Sequence, residues 1–551
     1  MPTDTSEKGL ETLIVESLVN EAGYVQGANS DYTREHMIDL ARLTAFLKST
    51  QPEAAVALAL DQDCPKRTQF LHRLDAEIAK RGVIDVLRKG VKHQALSLDL
   101  FYGTPTPGNA KATELHAANI FSVTRQLRYS LDESQLALDL CIFINGLPVA
   151  TFELKNSLTK QTVDDAVRQY KRDRSPNEPL FKFGRCMVHF AVDDHEVRMC
   201  THLKGKDSWF LPFNQGFNDG AGNPPNSNGI KTDYLWKRIL TKSGLTDILE
   251  NYAQVVEEKD ERGRKKPPKQ IFPRYHQLDV VRRLLEDAAA KGVGEKYLIQ
   301  HSAGSGKSNS IAWLAHQLIS LQDGGKPIFD SVVVITDRRL LDKQIRNTIR
   351  QFAQVSSVVG AVTGGSGSKT QQLSAFLRSG KKIIISTVQT FPFILDEIGD
   401  DHRGKTFAII IDEAHSSQGG KTSAKMHMAL SEQGGVESEE ETFEDKINMI
   451  MESRKMLANA SYFAFTATPK NKTLEIFGIP CEPVDGKIPH RPFDSYTMKQ
   501  AIQEGFILDV LASYTPIESY YRLVKTLEGD PEFDTKRAKK KLRRYVESHD
   551  H

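Results

Sequence analysis

Five short apolar runs follow one another in the second half of the chain, and helical segments separate them. They read KYLIQ, DSVVVIT, KKIIIST, FAIIIDEAH and SYFAFTATP. Runs of Ile and Val that alternate with helices are typical of strands buried on both faces of a parallel sheet. The pattern predicts an α/β domain that begins near Ile271.

A glycine-rich segment, HSAGSGKSNS, lies between the first run and the helical segment IAWLAHQL. A turn of this kind, between a strand and a helix, directs backbone amides and a helix N-terminus at phosphate groups. Lys307 is expected to reach the β- and γ-phosphates of ATP, and Ser308 to offer its hydroxyl to Mg²⁺. His301 stands where the P-loop motif has its first glycine. The candidate ATP-binding residues of the loop are Gly304, Ser305, Gly306, Lys307 and Ser308.

The fourth run ends in AIIIDEAHSS, which places two carboxylates at the end of a buried strand. A carboxylate in that position can hold Mg²⁺ through water. We therefore predict Asp412 as the Mg²⁺ ligand of the ATP site and Glu413 as the base or orienter of the attacking water.

Two further stretches complete a set: FPRYHQLD, with Gln277, and FAFTATPKN, with Thr466 and Thr468. The four stretches in this order resemble the superfamily 2 helicases and translocases. The resemblance implies that Gln277 reads adenine and that the TATP stretch couples the ATP state to the nucleic-acid track. ITDRRLLDKQI and ISTVQTF match the family's strand-end segments that touch the DNA backbone, although ordinary strand ends are the alternative. The residues expected there are Arg338, Thr387 and Gln389.

In the first half, QLALDLCIFINGLPVATFELKN reads as two strands of a hairpin joined near Asn145-Gly146. Side chains alternate between the faces of a strand, so Glu153 and Lys155 share one face. Asp139 joins them if it lies opposite Glu153, which requires pairs whose numbers sum to 292. A two-residue turn alone would place Asp139 on the other face, and we therefore predict a hairpin loop of three or five residues.

Two carboxylates that converge on a divalent ion, with a cation near the scissile phosphate, suit phosphodiester cleavage. Asp-x13-Glu-Leu-Lys in a hairpin resembles the active site of the PD-(D/E)xK nucleases, which implies Mg²⁺ on Asp139 and Glu153. TVDDAVRQYKRDR predicts a helix that carries Gln169, similar to the Gln-x-x-x-Tyr helix of the RecB-like branch. The fourth residue after Gln169 is Asp173, so the role of Gln169 is open. The alternative is a solvated strand face.

A nuclease module, a charged linker and a motor occur in this order in the restriction (R) subunit of type I restriction-modification enzymes. TSEKGLETLIVESLVNEAGY, FELKNS, PRYHQLDVV, DEAHSSQGG and FTATPKNKTLEIFG resemble that family. The resemblance implies a subunit that joins methylation (M) and specificity (S) subunits, pumps double-stranded DNA with ATP, and cuts it when translocation stalls.

The expected fold is α/β, with a PD-(D/E)xK-type nuclease domain followed by a RecA-like parallel-sheet domain. We place the nuclease at 1–258, a charged linker at 259–270, the first RecA-like domain at 271–482, and a bridge at 483–551. The bridge leads toward a second RecA-like domain, and we expect the chain to be a fragment without it. A superfamily 2 translocase whose N-terminal domain only binds DNA is the alternative function, and a scaffold with decayed sites is a third.

Composition adds only limits. A formal net charge of +2 on 551 residues neither demands nor excludes nucleic acid. Five cysteines without C-x-x-C spacing argue against a zinc site and against a disulfide framework. The longest apolar runs fall far below the ~20 residues that span a bilayer, so we expect a cytoplasmic protein without membrane contact.

Overall fold

The structure is a computed structural model that describes most of the chain up to residue 509. The described residues are 7–132, 135–257, 260, 262–336, 346, 348–350, 359–362, 368–400, 402, 404–412, 447–451 and 456–509. Glu413 and Arg338 lie outside them, so the predictions for these two residues have no structural counterpart. Residues Met1–Glu504 form one compact unit and Gly505–His551 a second.

The first half builds a mixed seven-stranded sheet whose strands lie side by side in chain order. The strands are β1 Val25–Gln26, β2 Phe121–Arg128, β3 Ala137–Ile144, β4 Leu147–Leu154, β5 Val188–Val192, β6 Val197–Cys200 and β7 Leu211–Pro212. Strands β2, β3 and β4 form an antiparallel meander, and β5 continues it parallel to β4. The predicted hairpin is therefore the centre of this sheet, where both faces are covered.

The second half builds a seven-stranded sheet that is parallel throughout, as the apolar runs predict. Its strands are β8 Lys296–His301, β9 Ser331–Thr336, β10 Val359–Ala361, β11 Ile383–Thr387, β12 Phe407–Ile411, β13 Ala460–Thr466 and β14 Asp494–Tyr496. The spatial order is β10-β11-β9-β12-β13-β8-β14. In such a sheet, all strands deliver their following loops to one edge, where ligands of α/β proteins bind.

Helices cover both sheets. They are α1 Glu7–Glu16, α2 Leu40–Thr50, α3 Pro52–Ala57, α4 Pro65–Arg81, α5 Val83–Lys89, α6 Ala110–Ala117, α7 Val163–Arg172, α8 Lys242–Asp247, α9 Tyr275–Lys291, α10 Lys307–Ser320, α11 Lys369–Arg378, α12 Phe391–Asp400, α13 Asn471–Phe477 and α14 Met498–Gln503. Among the described helices, none combines the length and apolarity that a membrane crossing needs.

One apolar cluster connects the two sheets through aromatic pairs. The ring of Phe190 on β5 lies 5.9 Å from that of Phe272, and Tyr252 lies 5.3 Å from Trp313 on α10. The predicted linker, 259–270, ends inside a small sheet, because Gln254–Val256 pairs antiparallel with Lys269–Ile271. The two sheets are thus joined by a shared core, in addition to the covalent connection.

Candidate functional site

The central hairpin reaches the predicted register by a different route from the one we expected. Asn145 and Gly146 both have positive φ, 51° and 84°, and form a two-residue turn, so the prediction of a three- or five-residue loop is wrong. Pairs next to the turn sum to 291, but a bulge at Val149 adds one residue to β4, and pairs beyond it sum to 292. Continuing that register places Asp139 opposite Glu153.

Asp139 lies in the middle of a polar row that crosses three strands. On its other side is Gln126 of β2, whose φ of 47° interrupts the ladder. Asp139 Oδ2 accepts the backbone N–H of Leu154 at 2.6 Å, and Gln126 Nε2 contacts Asp139 Oδ1 at 3.3 Å. Gln126 Nε2 also donates to Glu11 Oε2 of α1 at 2.5 Å. A positive φ at a non-glycine residue stores strain, and strain of this kind clusters at functional sites.

Glu153 is 0% exposed and is bonded at one oxygen only. Arg174 Nε donates to Glu153 Oε1 at 2.6 Å, while its Nη2 donates to the Ala137 carbonyl at 2.7 Å. Among the described residues, Glu153 Oε2 has no hydrogen-bond partner. Burial and the nearby Asp139 charge outweigh Arg174 and Lys155, and they raise the pKa of Glu153 to about 8. A buried carboxylate oxygen that receives no hydrogen bond is available to bind a metal ion.

Lys155 follows β4 on the same face and is only 8% exposed. A solvated strand face, the alternative interpretation, is contradicted by the burial of both Glu153 and Lys155. The predicted helix is confirmed as α7, with a capping box between Thr162 and Asp165. Gln169 is half-buried on α7, and its role stays a prediction. The side chain from this segment that contacts Glu153 is Arg174.

The phosphate loop follows β8 as predicted. Gly304 and Gly306 have φ of 75° and 79°, a conformation that other residues adopt at a cost. His301 has no positive φ, which explains why a side chain is accepted where the motif has its first glycine. Its ring Nε2 lies 2.7 Å from Asp494 Oδ1, and its carbonyl accepts from Lys307 Nζ at 3.1 Å. The Lys307 side chain therefore lies across the phosphate loop. It would give up its hydrogen bond to the His301 carbonyl in order to bind a phosphate.

Gln277 contacts the back of this loop. Its Nε2 donates to the carbonyls of Ser305 and Gly306, both at 3.0 Å, and its Oε1 accepts the N–H of Arg274. The described contacts of Gln277 therefore support the loop, and adenine reading by this residue stays a prediction. Arg274 supports the loop as well, because its Nη1 donates to the Gly304 carbonyl at 3.0 Å.

The other predicted nucleotide-site residues come to the same edge of the second sheet. Asp412 directly follows β12 and is 4% exposed, Thr466 ends β13, and Ser308 is the second residue of α10, which follows β8. These three strands are neighbours in the order β12-β13-β8. The topology thus gathers Ser308, Asp412 and Thr466 at one edge, with Thr466 paired to Gln300 beside the loop.

The strand-end residues predicted to face DNA do not behave alike. Gln389 is exposed, and so is Thr468 of the TATP stretch, for which coupling of the ATP state and not DNA contact was predicted. Thr387 is 5% exposed, and this burial contradicts direct contact of its side chain with a DNA backbone. The reason is its place as the last residue of β11, inside the sheet rather than in the loop that follows.

Residues that the sequence analysis missed surround both centres. Glu11, Gln126 and Arg174 contact the hairpin row, and Arg274 contacts the phosphate loop. One signal could have found Arg174: a carboxylate in a central strand needs a buried cation, and the segment after β4 ends in KRDR.

Two family models cover most of the chain. The model described as type I restriction enzyme R protein N terminus matches residues 4–208, and the model of SWI2/SNF2 ATPases matches residues 276–541. The two matches coincide with the two sheets. They define a class of protein in which a restriction-enzyme N-terminal region precedes a helicase-like ATPase.

Relatives narrow this class. A Methanocaldococcus jannaschii chain, provisionally named type I restriction enzyme MjaIXP endonuclease subunit, is 26% identical over 63% of this chain and 31% of its own length. The type I restriction enzyme SauMSSORF170P endonuclease subunit of Staphylococcus aureus is 24% identical over 73% of this chain and 37% of its own length. Together, the two family models and these relatives support an HsdR-type R subunit of a type I restriction enzyme.

The chain spans about a third of the length of these curated relatives. A solved fragment from Vibrio vulnificus YJ016, assigned provisionally to an HsdR subunit of a type I restriction enzyme, is 15% identical. It covers 72% of this chain and 60% of that one, with a TM-score of 0.26.

Proposed function

We propose that the first sheet carries a PD-(D/E)xK-type nuclease centre and that the second carries an ATP-driven DNA motor. The chain would act as the R subunit of a type I restriction enzyme on double-stranded DNA, together with M and S subunits. The observation that carries the nuclease proposal is the pair of a half-buried Asp139 and a fully buried Glu153 on adjacent strands, with Glu153 Oε2 unpartnered among the described residues.

The donor set fits Mg²⁺. Hard divalent cations take carboxylate oxygens, and Asp139 and Glu153 would supply them. When bound, Mg²⁺ supplies positive charge that polarises a scissile phosphate. Arg174 fixes one oxygen of Glu153, so the other oxygen keeps its orientation toward the ion. Lys155, on the same face, would hold the phosphate and the attacking water through its charge.

The phosphate loop and the strand ends beside it in the second sheet would hold Mg·ATP. Lys307 would move from the His301 carbonyl to the β- and γ-phosphates, and Ser308 and Asp412 would hold Mg²⁺. Glu413, next to Asp412 in the chain, would orient the attacking water. We expect Lys307→Ala to abolish measurable ATP binding in calorimetry and to leave the circular dichroism spectrum unchanged, because Lys307 is half-exposed and not part of the core. Equal ATP affinity of both proteins would contradict the nucleotide proposal.

The nuclease proposal is tested in the enzyme assembled with M and S subunits. Asp139→Ala, Glu153→Ala and Lys155→Ala are each assayed for DNA cutting and for ATP-driven translocation on the same substrate. We expect loss of cutting with translocation retained, because the phosphate loop belongs to the other sheet.

Gln169→Ala is assayed in the same way, because Gln169 is half-buried near the C-terminal end of α7 and its role is open. Normal cutting by both carboxylate variants would move the nuclease centre elsewhere. The first sheet would then be a DNA-gripping module, the alternative function.

A further inference from the structure

Three side chains with metal-binding atoms meet at a site remote in sequence from both proposed centres. Glu35 and His36 lie in the turn that joins the short paired strands Tyr32–Thr33 and Ile38–Asp39, and His72 lies in the middle of α4. One carboxylate oxygen and two imidazole nitrogens, one from each residue, all lie within 4.8 Å of one another. The cluster therefore bridges two segments that are 36 residues apart in the chain.

His36 is the fixed member of the cluster. It is 3% exposed, and its Nδ1 has no hydrogen-bond partner among the described residues. A buried ring nitrogen without a partner is costly unless something else binds it. Coordination of a metal ion by Nδ1 would remove this cost, and the His72 ring lies beside it, with the two ring centroids 4.9 Å apart.

Arg185 holds the two segments in position. Its Nη2 donates to the His36 carbonyl, and its Nη1 pairs at 2.8 Å with Asp75, which follows His72 by three residues on α4. The turn and the helix are thus connected by a buried cation that is not itself a metal ligand. The backbone of the turn is therefore held against α4 before any ion binds, while the exposed side chains of Glu35 and His72 adjust to it.

The geometry points to a divalent transition-metal ion of the zinc class, bound by Glu35, His36 and His72. Two imidazoles and one carboxylate suit Zn²⁺ or Co²⁺, whereas Mg²⁺ and Ca²⁺ take oxygen ligands. Bond lengths of ~2.0–2.1 Å place the ligand atoms of a tetrahedral ion ~3.3 Å apart. The ligand atoms now lie up to 4.8 Å apart, so binding requires them to approach one another. Glu35 and His72 are exposed and can turn inward, while His36 stays in place. The cysteine spacing argued against a zinc site, but this one uses no cysteine.

Bound at this position, the ion would pin the turn to α4, which makes the site structural. It is independent of the proposed nuclease function, because none of its ligands belongs to the hairpin row. An ion that binds only the folded chain raises its thermal stability by mass action.

The experiment uses the full chain with Glu153→Gln as background, so that the nuclease carboxylates contribute less. Chelator-treated protein is titrated with Zn²⁺ by calorimetry and with Co²⁺ by absorption, without nucleotide and with millimolar Mg²⁺ present. We expect one tightly bound equivalent, a tetrahedral Co²⁺ spectrum without thiolate bands, and a higher melting temperature with Zn²⁺.

His72→Ala and Glu35→Gln are the test variants, because both residues are exposed and neither change should disturb folding. We expect each to weaken Zn²⁺ binding by more than about tenfold, the lower end of what even an outer-shell partner costs. His195→Ala, at a histidine outside the cluster, is the matched control, and Cys64→Ser tests the thiol at the start of α4. Unchanged Zn²⁺ affinity in His72→Ala, or loss of binding in Cys64→Ser, would overturn the assignment.

Discussion

The burial of Glu153 predicts that Mg²⁺ binding at the hairpin releases a proton. Burial, followed by the charge of Asp139, raises the pKa of this carboxyl to about 8, against an ordinary value of 4.5. At pH 7 a group with a pKa of about 8 is roughly nine-tenths protonated. Because a metal binds the carboxylate and not the acid, each Mg²⁺ bound should release about 0.9 proton at pH 7.

The same coupling fixes how affinity depends on pH. Well below pH 8 the apparent Mg²⁺ affinity should rise nearly tenfold for each pH unit, and the rise should be about fivefold between pH 7 and pH 8, where the ionised fraction of Glu153 approaches one half. Above pH 8 the affinity should level off. The total gain between pH 6.5 and pH 8.5 is then about 20-fold to 30-fold.

The assay is isothermal titration calorimetry in pairs of buffers whose ionisation enthalpies differ, at pH 6.5, 7.0, 7.5 and 8.5. Nucleotide is left out so that the phosphate loop does not contribute. Glu153→Gln should remove both the proton release and the pH dependence, while Glu114→Gln, at an exposed glutamate, should change neither. Proton release below about 0.2 at pH 7, together with pH-independent Mg²⁺ affinity, would refute the argument that burial keeps Glu153 protonated.

Further predictions concern stability, register, loop support and DNA. Without metal, the raised pKa of Glu153 contributes free energy of unfolding that is fully present below about pH 4.5 and is lost as pH rises through about 8. Urea unfolding from pH 5 to 9 should show this fall in the native chain and a flatter pH profile in Glu153→Gln. Deleting Val149 removes the bulge, so Mg²⁺ binding should disappear, whereas Val149→Ala keeps the residue count and should keep binding. Arg274→Ala should destabilise the chain by up to ~3–5 kcal/mol, because it leaves the buried Glu504 carboxylate without its cation and with only the neutral donors Tyr496 and Gln500. The change should also weaken ATP binding through Gly304; equal melting temperature and ATP affinity in both proteins would contradict this. Binding to two unrelated duplexes, measured by fluorescence anisotropy, should weaken steeply and equally as salt rises, and a sequence preference that persists at high salt would contradict backbone recognition.

The second sheet was predictable because its information is local. Ile- and Val-rich runs identify strands buried on both faces, and the phosphate loop needs glycine at Gly304 and Gly306 for conformational reasons alone. Its Gln277 contacts were less predictable, since they depend on where α9 comes to lie against the loop.

The hairpin shows where local information ends. Asn145-Gly146 is a strong signal for a two-residue turn, and the turn is indeed tight. The bulge at Val149 that restores the register has no comparable signal, because it depends on how β4 pairs with both neighbours. Arg174 is similar: its contact with Glu153 spans 21 residues and depends on the path of α7 across the sheet.

The aromatic contacts between the sheets have a mechanical consequence. Phe190 on β5 packs against Phe272, which lies just before α9, and Tyr252 packs against Trp313 on α10, the helix after the phosphate loop, so both pairs fasten the first half of the chain to the helices of the second sheet. If the chain pulls DNA, as proposed, the force would pass through these aromatic contacts and not through residues 259–270 alone. The cutting centre would then travel at a constant offset from the pulling centre, so the spacing between grip and cut would be set by the fold and not by the length of residues 259–270.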